Sequence, residues 1–85
     1  MRVLIPSALR SYTERAETEA QGATVGAVLG DLDARYPGIR FRVVDEQDRI
    51  RRHIRIFVNG TQAAALSHPV APTDEVIIVQ ALSGG

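Results

Sequence analysis

The chain has 85 residues, no cysteine, and ten basic residues balanced by ten acidic ones, so its formal net charge is zero. This length predicts one small domain with little room for an enclosed active site. The balanced charge argues against a nucleic-acid partner, because affinity for phosphate comes mainly from positive charge. The lack of cysteine excludes disulfides, thiolate nucleophiles and zinc–cysteine sites. No apolar run is long enough for a signal peptide or a membrane span, so we expect a cytoplasmic protein that does not bind membranes.

The first part of the chain predicts two strands joined by a connection. Residues 2–6 alternate between two faces and end at Pro6, which predicts a first strand. Residues 7–13 show no sustained period and predict an irregular connection. Residues 14–20 alternate weakly between charged and small side chains, a pattern that suits the polar edge of a sheet.

The main helix is predicted to begin after Thr24, whose hydroxyl can accept a hydrogen bond from the first free amides. One apolar stripe at helical spacing follows, consisting of Val25, Val28, Leu29, Leu32 and Tyr36. Pro37 and Gly38 end the helix. Residues 39–44 fit either a short strand or an irregular turn, and both alternatives stay open.

The second half predicts a hairpin and a last strand. Residues 54–58 alternate strongly before Asn59-Gly60, the strongest short hairpin signal, so a weak return strand is expected around residues 61–65. A loop over residues 66–72 then leads to the last strand, residues 75–80, a dense apolar run.

This order predicts a two-layer α+β domain, with one main helix packed across one face of a mixed sheet of four to five strands. We expect the folded domain to span residues 1–80 and a flexible tail to span residues 81–85. Alternation assigns seven side chains to the core: Val3, Ile5, Ile54, Ile56, Val58, Val76 and Ile78. It sends four apolar side chains to the opposite face: Leu4, Phe57, Ile77 and Val79.

One helix can cover only one face of the sheet, so the opposite apolar face is a candidate docking patch for a partner protein. Two alternatives remain. The loop over residues 63–72 could cover part of this face, or a second copy of the chain could. We expect a monomer when the protein is free.

The last four residues, Leu82-Ser83-Gly84-Gly85, present an unbranched carboxylate directly after the last strand. Glycine has no Cβ, so Gly84 and Gly85 can thread a channel that is too narrow for other residues. Leu82 and Ser83 would enter behind them. The alternative is an ordinary frayed terminus.

Several segments together carry a family resemblance: Val3-Leu-Ile-Pro6, Thr24-Val-Gly-Ala-Val-Leu29, Ile56-Phe-Val-Asn-Gly60 and Ile78-Val-Gln-Ala-Leu-Ser-Gly-Gly85. In order and spacing the chain resembles the ThiS/MoaD family of ubiquitin-like sulfur carriers. Among these it looks closest to the carriers of thiocarboxylate-dependent cysteine synthesis. The resemblance implies a β-grasp fold. One departure is Gln80, where many members have proline before the tail.

The resemblance also implies a chemistry for Gly85. An ATP-dependent, E1-like adenylyltransferase and sulfurtransferase would activate its carboxylate and convert it to a thiocarboxylate. That group would then attack an aminoacrylate on a cysteine synthase that uses pyridoxal phosphate. The chain would be a protein cosubstrate and not an enzyme, and the ATP and pyridoxal phosphate would belong to its partners.

Two other functions remain open at this stage. The chain could be a ubiquitin-like modifier or interaction module, in which Gly85 forms an amide with a target amine. It could also be the small subunit of a molybdopterin synthase. All ten basic residues are arginine, so no lysine side chain of this chain can accept Gly85.

The remaining polar residues predict no catalytic or metal site. His53 and His68 lack metal-ligand spacing and are expected on the surface. No serine has a nucleophile motif. The arginines at positions 49, 51, 52 and 55 could meet an acidic partner or simply form a solvated face.

Overall fold

The computed structural model describes residues 1–81, which form a five-stranded mixed sheet and three helices around one core. The strands are β1 (Arg2–Leu4), β2 (Glu17–Glu19), β3 (Ile54–Val58), β4 (Thr61–Gln62) and β5 (Glu75–Gln80). The helices are α1 (Arg10–Thr13), α2 (Val25–Arg35) and α3 (Ile39–Val43), and a 3₁₀ turn, Ser7–Leu9, leads into α1. The strand order is β2-β1-β5-β3-β4, with β1 and β5 parallel and the other neighbours antiparallel. The last strand therefore lies at the centre of the sheet.

The main helix forms as its sequence predicts. The hydroxyl of Thr24 accepts a hydrogen bond from the amide of Ala27 at 3.1 Å, which satisfies one free donor of the first turn. The buried residues of α2 form a stripe at helical spacing, Val25, Val28, Leu29 and Leu32. Gly38, with φ of 98°, takes a left-handed conformation that suits glycine and separates α2 from α3.

The core contains every side chain that the alternation assigned to it. All seven are buried in one cluster with the buried residues of α2: Val3, Ile5, Ile54, Ile56, Val58, Val76 and Ile78. The predicted α+β fold is confirmed. The cluster is larger than predicted, because it also includes Leu9, Ala20, Ile39, Val43, Val44, Ala63 and Val70.

The prediction of an irregular connection over residues 7–13 is wrong. This segment forms the 3₁₀ turn and α1, and Leu9 is buried in the core. Two such short turns hold too few residues for a helical period to be visible in the sequence. The chain leaves α1 at Glu14 with φ of 59°, a left-handed conformation, so β2 begins at Glu17 and not at residue 14 as predicted.

Neither alternative for residues 39–44, a short strand or an irregular turn, is correct, because residues 39–43 form the short helix α3. Ile39 and Val43, one turn apart in α3, are both buried, whereas Phe41 points outward. The charged loop that follows is closed by a bridge between Val44 and Ile50.

The hairpin and its flanking strand also follow the sequence closely. Asn59 and Gly60 have φ of 50° and 84°, as a tight hairpin turn between β3 and β4 requires. The return strand is only two residues long, shorter than the predicted residues 61–65. The Asn59 side chain also donates to Asp74 at 2.7 Å and accepts from the amide of Glu75 at 2.9 Å, which joins the turn to the start of β5.

Candidate docking face and C-terminal tail

The central strand carries the chain directly to its terminal residues. β5 pairs with β1 on one side and β3 on the other, and the last pair of the ladder is Ile54 with Gln80. The amide of Ala81 then donates to the carbonyl of His53 at 2.8 Å. The tail prediction for Leu82, Ser83, Gly84 and Gly85 lies outside the described residues. What the structure fixes is the position of Ala81, the last described residue, beside His53.

The four side chains predicted to share the opposite face of the sheet come together there. Ile77 is in register with Leu4 of β1 and with Phe57 of β3, so the three form one row across neighbouring strands. Val79 lies two residues further along β5 on the same face. Leu4, Phe57 and Ile77 are half-buried by their neighbours, and Val79 is 39% exposed. We call these four residues the open face.

The loop over residues 63–72 belongs to the helix side of the sheet, so it does not provide the cover for the open face that was one alternative. The amide of Gly26 in α2 donates to the carbonyl of Leu66 at 2.9 Å. Leu66 packs against the core cluster, and Val70 and Ala63 are part of it. A Cβ on Gly26 would stand 3.2 Å from the Cβ of Leu66, which shows how closely the loop approaches α2.

The rim of the open face carries charges of both signs. Arg2 of β1 forms ion pairs with Glu17 of β2, at 3.2 Å, and with Glu75 of β5. The hydrogen bond to Glu75, followed by the negative charges of Glu75 and Glu17, raises the pKa of Arg2 above its usual value. Arg55 stands opposite Val79 at the other end. Charged side chains therefore flank the apolar open face at both ends.

Metal-binding and membrane-spanning features can be assessed only for the described part of the chain. Within residues 1–81, no three His, Cys, Asp or Glu side chains are grouped so that they could hold a metal ion. His53 is exposed and His68 is half-buried. None of the helices in this range is long and apolar enough to cross a bilayer, and the longest, α2, has 11 residues.

Phe41 is a surface feature that the sequence did not reveal. Its ring is 57% exposed, and the guanidinium of Arg51 lies 4.7 Å from the ring centre. The sequence missed it because residues 39–44 fitted a short strand or an irregular turn, whereas the structure forms a helix that turns Phe41 outward.

A mixed five-stranded sheet with a main helix on one face and the C-terminal strand at its centre defines a ubiquitin-like β-grasp domain. Here it carries a partly apolar open face and ends in Gly-Gly. The model of the ThiS family matches residues 3–85, and the chain belongs to this family.

Three known proteins show which members of this class the chain is similar to. The sulfur carrier protein CysO of Mycobacterium tuberculosis is 36% identical over an alignment of 89 residues, covering 98% of this chain and 96% of that protein. A chain in the crystal structure of the Amycolatopsis orientalis BexX/CysO complex is 34% identical with a TM-score of 0.91, covering 99% of this chain and 98% of that one. Small archaeal modifier protein 1 of Haloferax volcanii is 35% identical over 75 residues, covering 88% and 84%.

Proposed function

We propose that this chain is a sulfur carrier, in which the carboxylate of Gly85 is adenylated and converted to a thiocarboxylate that supplies sulfur for cysteine. The observation that carries the proposal is the similarity to the sulfur carrier protein CysO over 98% of the chain. The terminal Gly84-Gly85 supplies the group on which this chemistry would act. The chain itself is then a cosubstrate of its partner enzymes.

The steps follow from the chemistry of a carboxylate. A terminal carboxyl has a pKa of about 3.3 to 3.7, so Gly85 is ionised at neutral pH and can attack the α-phosphate of ATP. Pyrophosphate leaves, and an acyl adenylate forms. Hydrosulfide can then displace AMP and leave the thiocarboxylate directly. If the nucleophile is instead a persulfide of a partner, an acyl disulfide forms, and a second thiol must cleave it to leave the thiocarboxylate and a disulfide of the two thiols. The adenylyltransferase supplies the ATP site, because the carrier contributes only the carboxylate.

The open face and the tail would have separate roles, because the face would bind the partner enzyme and the tail would carry the carboxylate into its active site. The open face would bind the partner enzyme through Leu4, Phe57, Ile77 and Val79. Four residues beyond Ala81 reach about 13 Å when extended, at about 3.3 Å per residue, enough to enter a buried site while the body stays outside. Within residues 1–81, no group of three or more His, Cys, Asp or Glu side chains could hold a metal ion.

The sulfur acceptor that we propose is a cysteine synthase that uses pyridoxal phosphate. A thiocarboxylate is an anionic nucleophile, so it suits addition to the electrophilic β-carbon of an aminoacrylate, which an activated serine would give on that enzyme by losing its leaving group. The new Cβ–S bond would join the amino acid to Gly85 as a thioester, and hydrolysis of the acyl carbon–sulfur bond would release cysteine and regenerate the Gly85 carboxylate.

The intact mass of the protein purified from its own cells tests the carrier assignment. Replacement of one oxygen by sulfur at the terminus is the expected result. A second test offers the prepared thiocarboxylate to a cysteine synthase with activated serine and, separately, to a molybdopterin synthase large subunit with its precursor. A cysteinyl adduct on Gly85 supports the assignment, whereas turnover only in the second reaction assigns the chain as a small subunit.

The similarity to small archaeal modifier protein 1 favours one second candidate, a protein modifier. In that case Gly85 would form an amide with a target amine. The two functions share the adenylation step and differ in the acceptor. Ladders of conjugated proteins in the same cells, without a thiocarboxylate, would decide for the modifier.

A further inference from the structure

A second, cationic surface lies beside Ala81, the last described residue. Phe41, Arg42, Arg51 and His53 line a groove of about 320 Å³. Arg51 and His53 also line a neighbouring groove of about 490 Å³ with Arg52. We call these five residues the arginine surface. It is distinct from the open face, since Phe41 and Arg42 belong to α3 and the others to the segment before β3.

The arginine side chains of this surface form no ion pairs with carboxylates within residues 1–81. The ion pairs found within residues 1–81 join Arg2, Arg35 and Arg40 to carboxylates, and none includes Arg42, Arg51 or Arg52. Two nearby carboxylates make contacts outside this surface, although Asp45 also lines the larger groove. Asp48 is paired with Arg40 at 3.1 Å, while Asp45 accepts hydrogen bonds from the amides of Gln47 and Arg49. These hydrogen bonds are the main causes that lower the pKa of Asp45, and the charge of Arg51 is one of the smaller ones.

The exposed ring in this surface is held in a fixed position. The Nε of Arg51 donates to the carbonyl of Phe41 at 2.8 Å while its guanidinium lies over the Phe41 ring. A ring held in this way loses little conformational freedom when a partner covers it. Aromatic and arginine side chains are also the residue types that anchor protein interfaces most often.

The position of the surface indicates which partner would meet it. Ala81 is hydrogen-bonded to His53, so an enzyme that takes residues 82–85 into a channel must place the mouth of that channel beside His53 and Arg52. The reach of about 13 Å for the extended tail separates the arginine surface from the reacting carboxylate. The arginines would therefore face the protein around the channel and not the bound nucleotide.

We propose that the arginine surface docks on an acidic rim around the tail channel of the adenylyltransferase, with Phe41 in an apolar socket between carboxylates. This inference rests on the proposed function. Guanidinium–carboxylate pairs across such a rim are charge-assisted and directional, and they steer association in a salt-dependent way. A nucleic acid is the less suitable partner, since the chain as a whole has no net charge.

The test is ATP–pyrophosphate exchange with the E1-like adenylyltransferase from the same cells as this chain, measured against carrier concentration at low and high salt. Arg42→Ser/Arg52→Ser removes two positive charges from exposed side chains that make no described hydrogen bond. We expect KM to rise about ten-fold at low salt, kcat to stay unchanged, and the defect to shrink at high salt. Phe41→Ala should raise KM at both salt concentrations, because its contact is apolar.

Ala71→Glu/Thr73→Glu is the matched control, since it changes the net charge by the same two units near the start of β5, at the opposite end of that strand. Its KM should equal that of the wild type. A KM for the arginine variant within about two-fold of wild type, or an equal rise in the control, overturns the inference. So would RNA binding that the arginine variant loses while KM is unchanged. No exchange with the wild-type chain would refute the proposed function instead.

Discussion

Ile56 and Phe57 are neighbours in β3 whose side chains enter opposite environments. Ile56 is fully buried in the core, whereas Phe57 lies half-buried in the open face beside Ile77. The same substitution should therefore have different consequences at the two positions. An unpaired carboxylate in the core is strongly destabilising, but at a half-exposed position it stays in contact with water.

We therefore expect Ile56→Asp to abolish cooperative thermal unfolding, and Phe57→Asp to keep it with a modest loss in Tm. Phe57→Asp should nevertheless raise KM for the adenylyltransferase by at least about ten-fold, because interface anchors are concentrated in aromatic side chains. Thermal melts and exchange kinetics measure the two effects. Equal losses in Tm for both variants would contradict the assignment of Phe57 to the open face.

The terminal glycines allow a second residue-scale prediction. Deleting Gly85 should abolish ATP–pyrophosphate exchange, since the carboxylate would sit one residue short of the reacting position. Gly84→Val should also fail, because a branched side chain blocks a channel that glycine can pass. Neither change touches the core residues, so both variants should melt at the wild-type Tm. Undiminished exchange by the deletion variant would refute the role of Gly85.

At the scale of single elements, α2 depends on its N-cap as well as on its buried stripe. Thr24→Ala removes the acceptor for the Ala27 amide and should lower the free energy of unfolding by about 1 kcal/mol. Thr24→Ser keeps the hydroxyl and serves as the matched control. Urea denaturation of the two variants measures the difference. Equal stabilities would mean that the cap contributes nothing to the fold.

The elements also show which parts of the fold a single sequence can predict. β3, β5 and α2 repeat their pattern often enough for the period to be visible, and each lies where it was predicted. α1 and α3 have four and five residues, too few for a period, and both were missed. Phe41 and Arg42 belong to α3, so the positions of these two of the five residues of the arginine surface could not be predicted.

The candidate site could also be predicted only in part from the sequence. Alternation alone placed Leu4, Phe57, Ile77 and Val79 on one face, because side chains of a strand alternate. That three of them form one row depends on the strand order and register, which the alternation does not encode. The family prediction is confirmed by the match over residues 3–85, and the similarity to CysO supports the proposed sulfur-carrier function. The role of Gly85 and the docking of the open face stay predictions.

For the whole molecule, the decisive contact is the pairing of its first and last strands. Arg2 is in register with Glu75, and β3 reaches β1 only through β5. A chain that stops after Asp74 should therefore show no cooperative unfolding, because β1 and β3 lose their common neighbour. A chain that stops after Ala81 should keep the wild-type Tm. Circular dichroism on heating distinguishes the two, and a folded first variant would contradict this account.

If the open face binds the adenylyltransferase as proposed, the central position of β5 would also make this binding depend on complete folding. β5 is the last of the five strands to be synthesised, and it contributes Ile77, the middle of the row with Leu4 and Phe57. Until it is inserted, the two halves of the sheet have unpaired edges and the row does not exist. An enzyme that docks on this row would accept only chains whose folding is complete. Misfolded copies would then never be charged with sulfur, without any separate proofreading step.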